Sequence, residues 1–459
     1  MKKPLILLLM GIFISHISTY SQSHTWNGNG GDNDWFNPSN WIQNSVPDAS
    51  SDVLISSDAE VEIFIGTAEA NQIQIENNST LTLDNTLELG SEMNIGALGT
   101  FVFMGGTFSG GTIENNGLIR FESLTVKTVI NATLNNNQLF EVNNSNQIQL
   151  NNVEINNSTG AIIDIASVGG FLSQGGNPSV LNNEGFLNKL PDGVNPNGNF
   201  YVILNINNTG VIDIPENETL LCLGGNITLN NLNTGLIRGK GTFDITANFN
   251  NSGLVAPGGE GVVGTFHITN IFNLSPPGAL LIDIGAEASE HDVIEIFGSP
   301  QLEGDIFVEC QATLSVGDEF PIITATQGIG TCNFPQFVYA DLFASSYEFE
   351  VICDPDTVYL KFVREVILNN EDFTSGDIDF YTSPNPAKDI IEVILPSELF
   401  QLHQSLEIDI INAVGQQIDV LTISTEKQSF DTSNLTSGIY FLILKTKGRR
   451  LSTTKMVKL

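Results

Sequence analysis

Apolar and polar residues alternate along most of the chain, in short stretches that Gly, Asn and Asp interrupt. IIDI, VIDI and TFDI are examples, because every second residue in them is apolar. A period of two predicts β-strands that bury one face. No stretch of the body has the apolar spacing of an amphipathic helix, so the pattern predicts an all-β protein.

The middle of the chain repeats one phrase, which consists of two asparagines, a variable residue, a glycine, two apolar residues and a polar one. It reads NNGLIRF, NNEGFLNK, NNTGVIDI and NNSGLVAP, with looser copies NNSTGAIIDI and LNTGLIRG. The three gaps between Gly160 and Gly235 are 25 residues each. Short strands repeated at this spacing predict a β-solenoid, in which each turn stacks on the one before. The glycines of the phrase are Gly117, Gly160, Gly185, Gly210, Gly235 and Gly253.

Aligning the copies predicts which positions face the interior. Two residues after the glycine the side chains are aliphatic, as expected for a core: Ile119, Leu187, Ile212, Ile237 and Val255. The next position is polar, as expected for solvent: Arg120, Asn188, Asp213 and Arg238. If 25 residues form one turn, Asp213 and Arg238 lie side by side. Roughly nine turns fit between residues 55 and 260.

The corners of the solenoid are rich in Asn and Gly. Both residues tolerate left-handed backbone conformations, so we expect them at the corners for that reason. Asparagines at equivalent positions of successive turns are also expected to hydrogen-bond along the stack, as in cross-β structures.

All three tryptophans lie in HTWNGNGGDNDWFNPSNW, just before the first alternating strands. The first turn of a solenoid has an open core and unpaired strand edges, so it needs a cap. Trp26, Trp35 and Trp41 suit this role, because each buries a large area while its N–H reaches a polar partner. Sugar stacking is the alternative for these residues.

The charge balance excludes some partners. There are 52 acidic and 17 basic residues, a net charge of −35. Residues 23–365 contain seven Lys and Arg, too few to neutralise a phosphate backbone, which argues against nucleic-acid binding. Cofactors are not expected, although calcium is possible at Asp32, Asn33 and Asp34, where a solvated turn is the plainer interpretation.

Four cysteines do not make a disulfide scaffold. One bridge is expected among Cys310, Cys332 and Cys353. Cys222 is expected to be a buried small apolar residue.

Residues from about 253 onward, SGLVAPGGEGVVGTFHITN, LSPPGALLIDIG, EHDVIEIFG and PQLEGDIFVEC, resemble the end of passenger domains in autotransporter-like surface proteins. In that family the segment continues and closes a right-handed parallel β-helix. The resemblance therefore implies that the solenoid ends in a capping β-domain.

The C-terminal region contains four motifs in sequence: FYTSPNPAKDIIEVILP, LEIDIINAVGQQIDVL, FDTSNLTSGIYFLILKTKGRR and a terminal KMVKL. These motifs, in this order, resemble the sorting domain of type IX secretion substrates. The resemblance implies a compact β-sandwich that the outer-membrane machinery recognises and normally removes during release or attachment to surface lipopolysaccharide. The basic residues after Tyr440 have two compatible interpretations, protection of an edge strand or a docking face. The sorting-motif residues are Pro384, Asn385, Pro386, Gly415, Gly438, Tyr440, Lys455 and Lys458.

The chain start, MKKPLILLLMGIFISHISTYSQ, has the charged and apolar regions of a secretory signal, and its apolar run is short for a membrane span. No later stretch is apolar and long enough to cross a bilayer. The expected organisation is a signal peptide (1–22), a Trp-rich cap (23–54), β-solenoid repeats (55–260), a terminal solenoid or β cap (261–363), a linker (364–379) and the sorting domain (380–459).

Catalytic chemistry is the alternative to a scaffold. Asp164, Asp213 and Asp244 lie on predicted strands, and a hydrolase needs two carboxylates roughly 5 to 10 Å apart. Alternating Asp with Ile is also what any solvent-facing strand does, so no catalytic residue is assigned. The mature histidines, His24, His267, His291 and His403, are distant single residues without metal-ligand spacing.

We therefore expect a secreted or surface protein without enzymatic activity, serving in adhesion, a matrix or a surface coat. Its expected partners are the type IX machinery and extracellular polysaccharide or surface lipopolysaccharide. The alternative function is a polysaccharide lyase or glycoside hydrolase on a β-helix scaffold.

Overall fold

The computed structural model describes residues 23–56, 58–76, 78–175, 178–191, 199–270, 272–341, 345–367, 380–396, 399, 406–412, 416–446 and 449–459. The predicted signal peptide and residues 368–379 of the predicted linker lie outside these residues. The chain divides into two units, Met1–Val366 and Ile367–Leu459.

The first unit is a parallel β-solenoid with three faces, and each turn visits face 1, face 2 and face 3 in order. Two long strands, Thr67–Ile75 and Thr86–Ile95, run through the corner from face 1 to face 2. The later strands of face 1 are Gly106–Ser109, Lys127–Ile130, Gln147–Asn151, Gly169–Gln174, Asn199–Ile203, Thr219–Cys222, Thr242–Ile245, Thr265–Asn270, Val293–Phe297 and Glu319–Ala325.

Faces 2 and 3 complete each turn. The remaining strands of face 2 are His24–Thr25, Asp52–Ile55, Thr112–Asn115, Thr133–Asn136, Glu154–Asn157, Val180–Asn183, Asn205–Asn208, Thr228–Asn231 and Asn248–Asn251. Face 3 consists of Glu60–Ile63, Thr80–Leu83, Thr100–Phe103, Leu118–Phe121, Leu139–Asn143, Ile162–Ala166, Phe186–Lys189, Val211–Ile214, Leu236–Gly239, Leu254–Pro257, Ala279–Ile284 and Asp305–Cys310. A three-stranded sheet of Asn273–Leu274, Gln301–Glu303 and Thr331–Asn333 also belongs to this unit.

The twelve described strands of face 3 mark about eleven turns between residues 52 and 310. In most of these strands every second residue points inward, and the inward apolar side chains form one continuous core. The sequence prediction of an all-β protein with a solenoid body is therefore confirmed.

The predicted register is also confirmed. Asp213 pairs with Arg238 on the next turn, and Arg238 Nε donates to Asp213 Oδ2 at 2.8 Å. Ile212, Ile237 and Val255 follow one another in the interior column of face 3, and all are buried.

The corner glycines have a different physical role from the one expected. Of the six in the repeated phrase, Gly160 has a left-handed backbone, with φ of +82°. At Gly210 a Cβ atom would lie 2.1 Å from the carbonyl oxygen of Gly185 on the turn below, and Gly117, Gly185, Gly235 and Gly253 have similar obstructions. These five positions require glycine because successive turns approach closely, not because of φ.

The first turn is covered by residues 24–41. Trp26 N donates to Leu54 O, and Trp35 N donates to Glu62 O, so the segment pairs with the free edges of faces 2 and 3. Trp41 lies edge-on between Trp26 and Trp35, at 5.0 Å from each ring. A short 3-10 helix, Pro38–Asn40, leads into Trp41.

The far end of this unit turns antiparallel. Glu319–Ala325 pairs with Thr357–Ile367, and Phe337–Asp341 pairs with Ser345–Cys353. A disulfide joins Cys332 to Cys353, while Cys222 is a buried free thiol as expected and Cys310 is a half-buried one.

The second unit contains two antiparallel sheets around its own core, as the fold prediction required. One sheet consists of Tyr381–Ser383, Ile390–Ile394 and Lys427–Asp431. The other has the order Gln417–Ile423, Leu406–Asn412, Gly438–Thr446 and Arg449–Lys458.

Candidate functional site

A groove of about 320 Å³ lies at the corner between face 2 and face 3. It spans four turns of the solenoid, and all but two of its lining side chains are amides or hydroxyls. Glu184 supplies a carboxylate, and Leu232 supplies an apolar surface that is 39% exposed. The lining residues are Asn156, Asn157, Ser158, Asn182, Asn183, Glu184, Asn207, Thr209 and Leu232.

A buried ladder of asparagines forms the floor of this corner. From Asn115 to Asn231 each Nδ2 donates to the Oδ1 of the next turn at 2.7 or 2.8 Å, and most also reach a face 3 carbonyl oxygen. The Nδ2 of Asn251, the last of the ladder, is buried without a partner among the described residues. These bonds pair the buried amides, which would otherwise be costly to desolvate. The inner ladder consists of Asn115, Asn136, Asn157, Asn183, Asn208, Asn231 and Asn251.

A second ladder runs beside it on the solvent side of face 2. Here each Nδ2 donates to the previous turn, so the direction is opposite to that of the inner ladder. The outer ladder begins on Glu114 and consists of Asn135, Asn156, Asn182, Asn207, Asn230 and Asn250.

The outer ladder leaves hydrogen-bonding capacity at the groove. A carboxamide has two N–H groups and two acceptor lone pairs. Among the described residues, Asn156 and Asn207 each use one N–H and one lone pair in the ladder. These two residues therefore each offer a donor beside an acceptor. Asn182, on the turn between them, donates to both Asn156 and Glu154 and offers an acceptor alone. Successive turns are about 4.8 Å apart.

An apolar stripe follows the groove along face 3. It is formed by the residue that starts each face 3 strand after the corner: Leu118, Leu139, Ile162, Phe186, Val211, Leu236 and Leu254. All are half-buried or exposed, and Phe186 is 38% exposed. Sequence reasoning missed this stripe, although the signal was present as the first of the two apolar residues after each glycine.

The stripe and the inner ladder occupy the same seven turns. On the turn before Leu118 the equivalent residue is Thr100, and on the turn after Leu254 it is the buried Ala279. The inner ladder begins at Asn115, whose equivalent on the preceding turn is Ile95, and it ends at Asn251. Two features on different faces therefore begin and end together.

The polar side chains of the column beside the stripe bond to one another across successive turns. Arg120 donates to Glu141 at 2.8 Å, and Asn188 donates to Asp164 at 2.9 Å. The Arg238–Asp213 pair completes the series, so both arginines of this column are paired with carboxylates.

The carboxylates considered for catalysis are also engaged. Asp164 and Asp213 share one face 3 column, with Asn188 between them. Asp244 lies on face 1 and accepts a hydrogen bond from Asn270. The structure thus places Asp244 on a different face from the other two.

Two carboxylates with perturbed pKa values lie near the far end of the solenoid. Burial raises the pKa of Asp292 to about 8, and burial and the nearby Glu309 raise that of Asp283. Their oxygens accept backbone N–H groups of Gly264 at 2.7 Å and Val262 at 3.1 Å. The pair therefore holds the loop before Thr265.

The described histidines lie in different parts of the first unit and do not contact one another. His24 contacts Ser45 at 3.0 Å, and His267 lies 3.1 Å from Glu295. His291 forms a bridge with Ile284, and burial lowers its pKa. His403 lies outside the described residues. Within the described ranges, no cluster of three or more His, Cys, Asp or Glu is arranged to hold a metal ion.

The Asp32 turn is satisfied by amides. Its carboxylate accepts Nδ2 of Asn40 at 2.6 Å and of Asn37 at 3.0 Å, and these two bonds lower its pKa. The nearby indole of Trp41 donates to Trp35 O at 2.9 Å. The Trp35 indole N–H has no partner among the described residues.

The sorting-motif residues converge on the C-terminal strand. Asn385 Nδ2 donates to Lys455 O at 2.6 Å, and Val457 N donates back to Asn385 Oδ1 at 2.9 Å. Gly438 pairs with Lys458, and the Tyr440 hydroxyl donates to Thr436 O at 2.9 Å. Pro384 and Pro386 flank Asn385, whereas Gly415 lies outside the described residues.

No helix within the described residues has the length and apolar character needed to cross a membrane.

Comparisons with known proteins agree with this division. Residues 25–107, which contain the tryptophans and the first turns, match a domain of unknown function (DUF8693). No curated protein matches the chain. Residues 382–458 match the secretion system C-terminal sorting domain, which implies export to the cell surface or the medium by type IX machinery. The chain is therefore a type IX secretion substrate whose body is a β-solenoid.

Proposed function

We propose that the chain is a non-enzymatic surface protein, which serves in adhesion, an extracellular matrix or a surface coat. The observation that carries this proposal is the seven-turn strip at the corner of faces 2 and 3, where two amide ladders and an apolar stripe run in register. A long periodic surface presents area for binding, as solenoid repeats commonly do. Extracellular polysaccharide or surface lipopolysaccharide is its proposed partner, and any calcium is accessory.

The state of the carboxylates supports a scaffold over a hydrolase. A hydrolase needs a free pair that flanks the scissile bond. Asp213 is ion-paired with Arg238, and Asp164 accepts an amide from Asn188. The buried pair with raised pKa values, Asp283 and Asp292, is hydrogen-bonded to backbone N–H groups.

Export and processing belong to the same proposal. Residues 1–22 are proposed to act as a signal peptide, residues 23–54 as a cap, and residues 380–459 as the module that the outer-membrane machinery removes. The tryptophans are proposed to have a structural role, and the residues around Asn385 and Lys455 to form the recognised part of the sorting domain.

The test is to incubate the secreted protein with a panel of plant and algal polysaccharides. We expect retention of the protein on some of them, without new reducing ends or unsaturated products. Reproducible turnover that Asp213→Asn or Asp164→Asn abolishes would overturn the proposal in favour of an enzyme. Loss of turnover in both variants would identify the face 3 column as catalytic.

A further inference from the structure

We infer that the strip formed by the outer ladder, the groove and the apolar stripe binds a single linear, uncharged glycan that lies along the solenoid axis. This inference rests on the proposed function, because it names the ligand class of the same surface. It assigns a direction, a length and a chemistry to the ligand.

The length and direction follow from the periodicity. Seven turns at about 4.8 Å per step give a strip of about 29 Å. All hydrogen-bonding groups of the outer ladder repeat at this step, and so do the residues of the apolar stripe. A ligand that uses them on successive turns must itself be an extended chain with a short repeat, and sugar residues of an extended glycan have about this length.

The polar chemistry matches hydroxyl groups. Each sugar hydroxyl is both a donor and an acceptor, and Asn156 and Asn207 each have one N–H donor and one acceptor lone pair outside the ladder. Ser158 and Thr209 add hydroxyls at the same corner. A polymer with only acceptors, or only donors, would leave half of these groups unpaired, which is unfavourable once water is excluded.

The apolar stripe matches the other side of a sugar chain. Pyranose rings carry C–H faces that pack on aliphatic and aromatic surfaces. Ile162, Phe186, Val211 and Leu236 start the face 3 strands of the same four turns that line the groove. A glycan that lies along the corner therefore directs its hydroxyl groups toward face 2 and its ring faces toward face 3.

The charges exclude an anionic ligand. No Lys or Arg lines the groove, and Glu184 would repel a carboxylate or sulfate. The nearby arginines, Arg120 and Arg238, are paired with Glu141 and Asp213. Lys189 is fully buried against Glu218 and is therefore not accessible to a ligand.

The experiment is affinity gel electrophoresis of the secreted protein through gels that contain soluble neutral glycans, namely hydroxyethyl cellulose, galactomannan or laminarin. Gels with alginate or polygalacturonate serve as the anionic comparison. We expect at least one neutral glycan to retard the protein, and the anionic ones not to do so.

Two variants localise the binding. Phe186→Ala should raise the dissociation constant for the glycan about tenfold, because one side chain that stacks on a sugar ring is lost. Tyr201→Ala is the matched control, because Tyr201 is an aromatic residue on face 1 with the same 38% exposure. Glu184→Gln should leave neutral-glycan binding intact, whereas a site that recruits cations would lose it.

Several results would overturn the inference: no retention by any neutral glycan, equal retention by the anionic ones, or equal effects of the two aromatic substitutions. If Phe186→Ala instead abolished self-association in sedimentation experiments, the stripe would be a contact between copies. If the protein attaches to cells or particles while strip variants bind normally, the proposed function stands and this inference fails.

Discussion

Six face 2 strands end in consecutive asparagines, from Thr133–Asn136 to Asn248–Asn251, and the two side chains of each pair point to opposite sides of the sheet. In the pair Asn207–Asn208, Asn208 is buried in the inner ladder and Asn207 is half-buried in the outer one. The repeated Asn-Asn dipeptide is thus explained by the two-residue period of a strand, because adjacent side chains supply two separate ladders. Hydrogen bonding along the stack was predictable, but the division into two ladders required the position of the corner.

The two ladders should differ in their contribution to stability. Asn208→Ala leaves Asn183 Nδ2 and Asn231 Oδ1 without their ladder partners, and each buried group costs about 1–3 kcal/mol. We expect a loss of about 3 kcal/mol, seen as a lower urea midpoint by circular dichroism. The control, Asn207→Ala, should cost less than about 1 kcal/mol because water reaches its neighbours. Equal losses would contradict the buried ladder.

The Asp283–Asp292 pair should make stability depend on pH. Both pKa values are raised in the folded protein from an ordinary value of 3.8, that of Asp292 to about 8. Raised carboxyl pKa values favour the folded state at low pH, and this contribution is lost as pH rises from about 4 to about 8. We expect the thermal midpoint to fall over this range.

Asp283→Asn tests the assignment. Its oxygen still accepts the N–H of Val262, and its amide group replaces an Oδ1 atom that is buried without a partner among the described residues. The variant should show a flatter dependence of the thermal midpoint on pH, because it removes one of the two carboxyl groups whose pKa values are raised in the folded protein. Asp305→Asn, an exposed change on a neighbouring strand, should retain the wild-type slope. A wild-type slope in Asp283→Asn would show that other groups titrate.

At the scale of the strand, the interior and solvent columns of face 3 were predictable from the repeat, because burial and the two-residue period act together. The stripe was not predicted, although the same two-residue period places the apolar residue before each interior position on the solvent side of the strand. Loops vary between turns, so the step from one turn to the next ranges around the 25 residues seen from Gly160 to Gly235. The spacing of the repeated glycines therefore predicted the pairing register between successive turns only from Gly160 to Gly235.

The cap should act on the turns nearest to it. Trp41 is fully buried, and Trp→Ala changes in a core cost about 3–5 kcal/mol. In a solenoid each turn contacts its neighbours, so the effect should be local. We expect Trp41→Ala to accelerate amide exchange in Asp52–Ile55 and Glu60–Ile63, but not in Asn205–Asn208. The control is Ile42→Ala, because Ile42 is adjacent and 58% exposed. Uniform acceleration would contradict a capping role.

Across the whole molecule the net charge is −35, and within the described part of the first unit most basic side chains are paired or buried. In the first unit Lys361 and Arg364 are paired with Glu319 and Glu348. Lys127 is buried, its Nζ donates to two carbonyl oxygens, and burial lowers its pKa to about 8. The scarcity of Lys and Arg side chains is evident from the composition. Which carboxylates they pair with depends on the register between turns and could not be read from the composition.

The sorting domain should control export independently of the solenoid. A chain that lacks residues 380–459 is expected to remain inside the outer membrane, because the terminal strand and Asn385 are both lost. Fractionation followed by immunoblotting measures this. Trp41→Ala in the full chain is the control and should still be exported. Release of the truncated chain into the medium at the normal level would contradict the role of this domain.

The opposite directions of the two asparagine ladders have an electrostatic consequence for length. Amide dipoles aligned head to tail add up, as they do along an α-helix, and act like a partial charge of opposite sign at each end. In this protein the inner and outer ladders carry their amide dipoles in opposite senses on the same turns. The partial charges of the two ladders therefore have opposite signs at each end of the stack and largely cancel, whatever the number of turns.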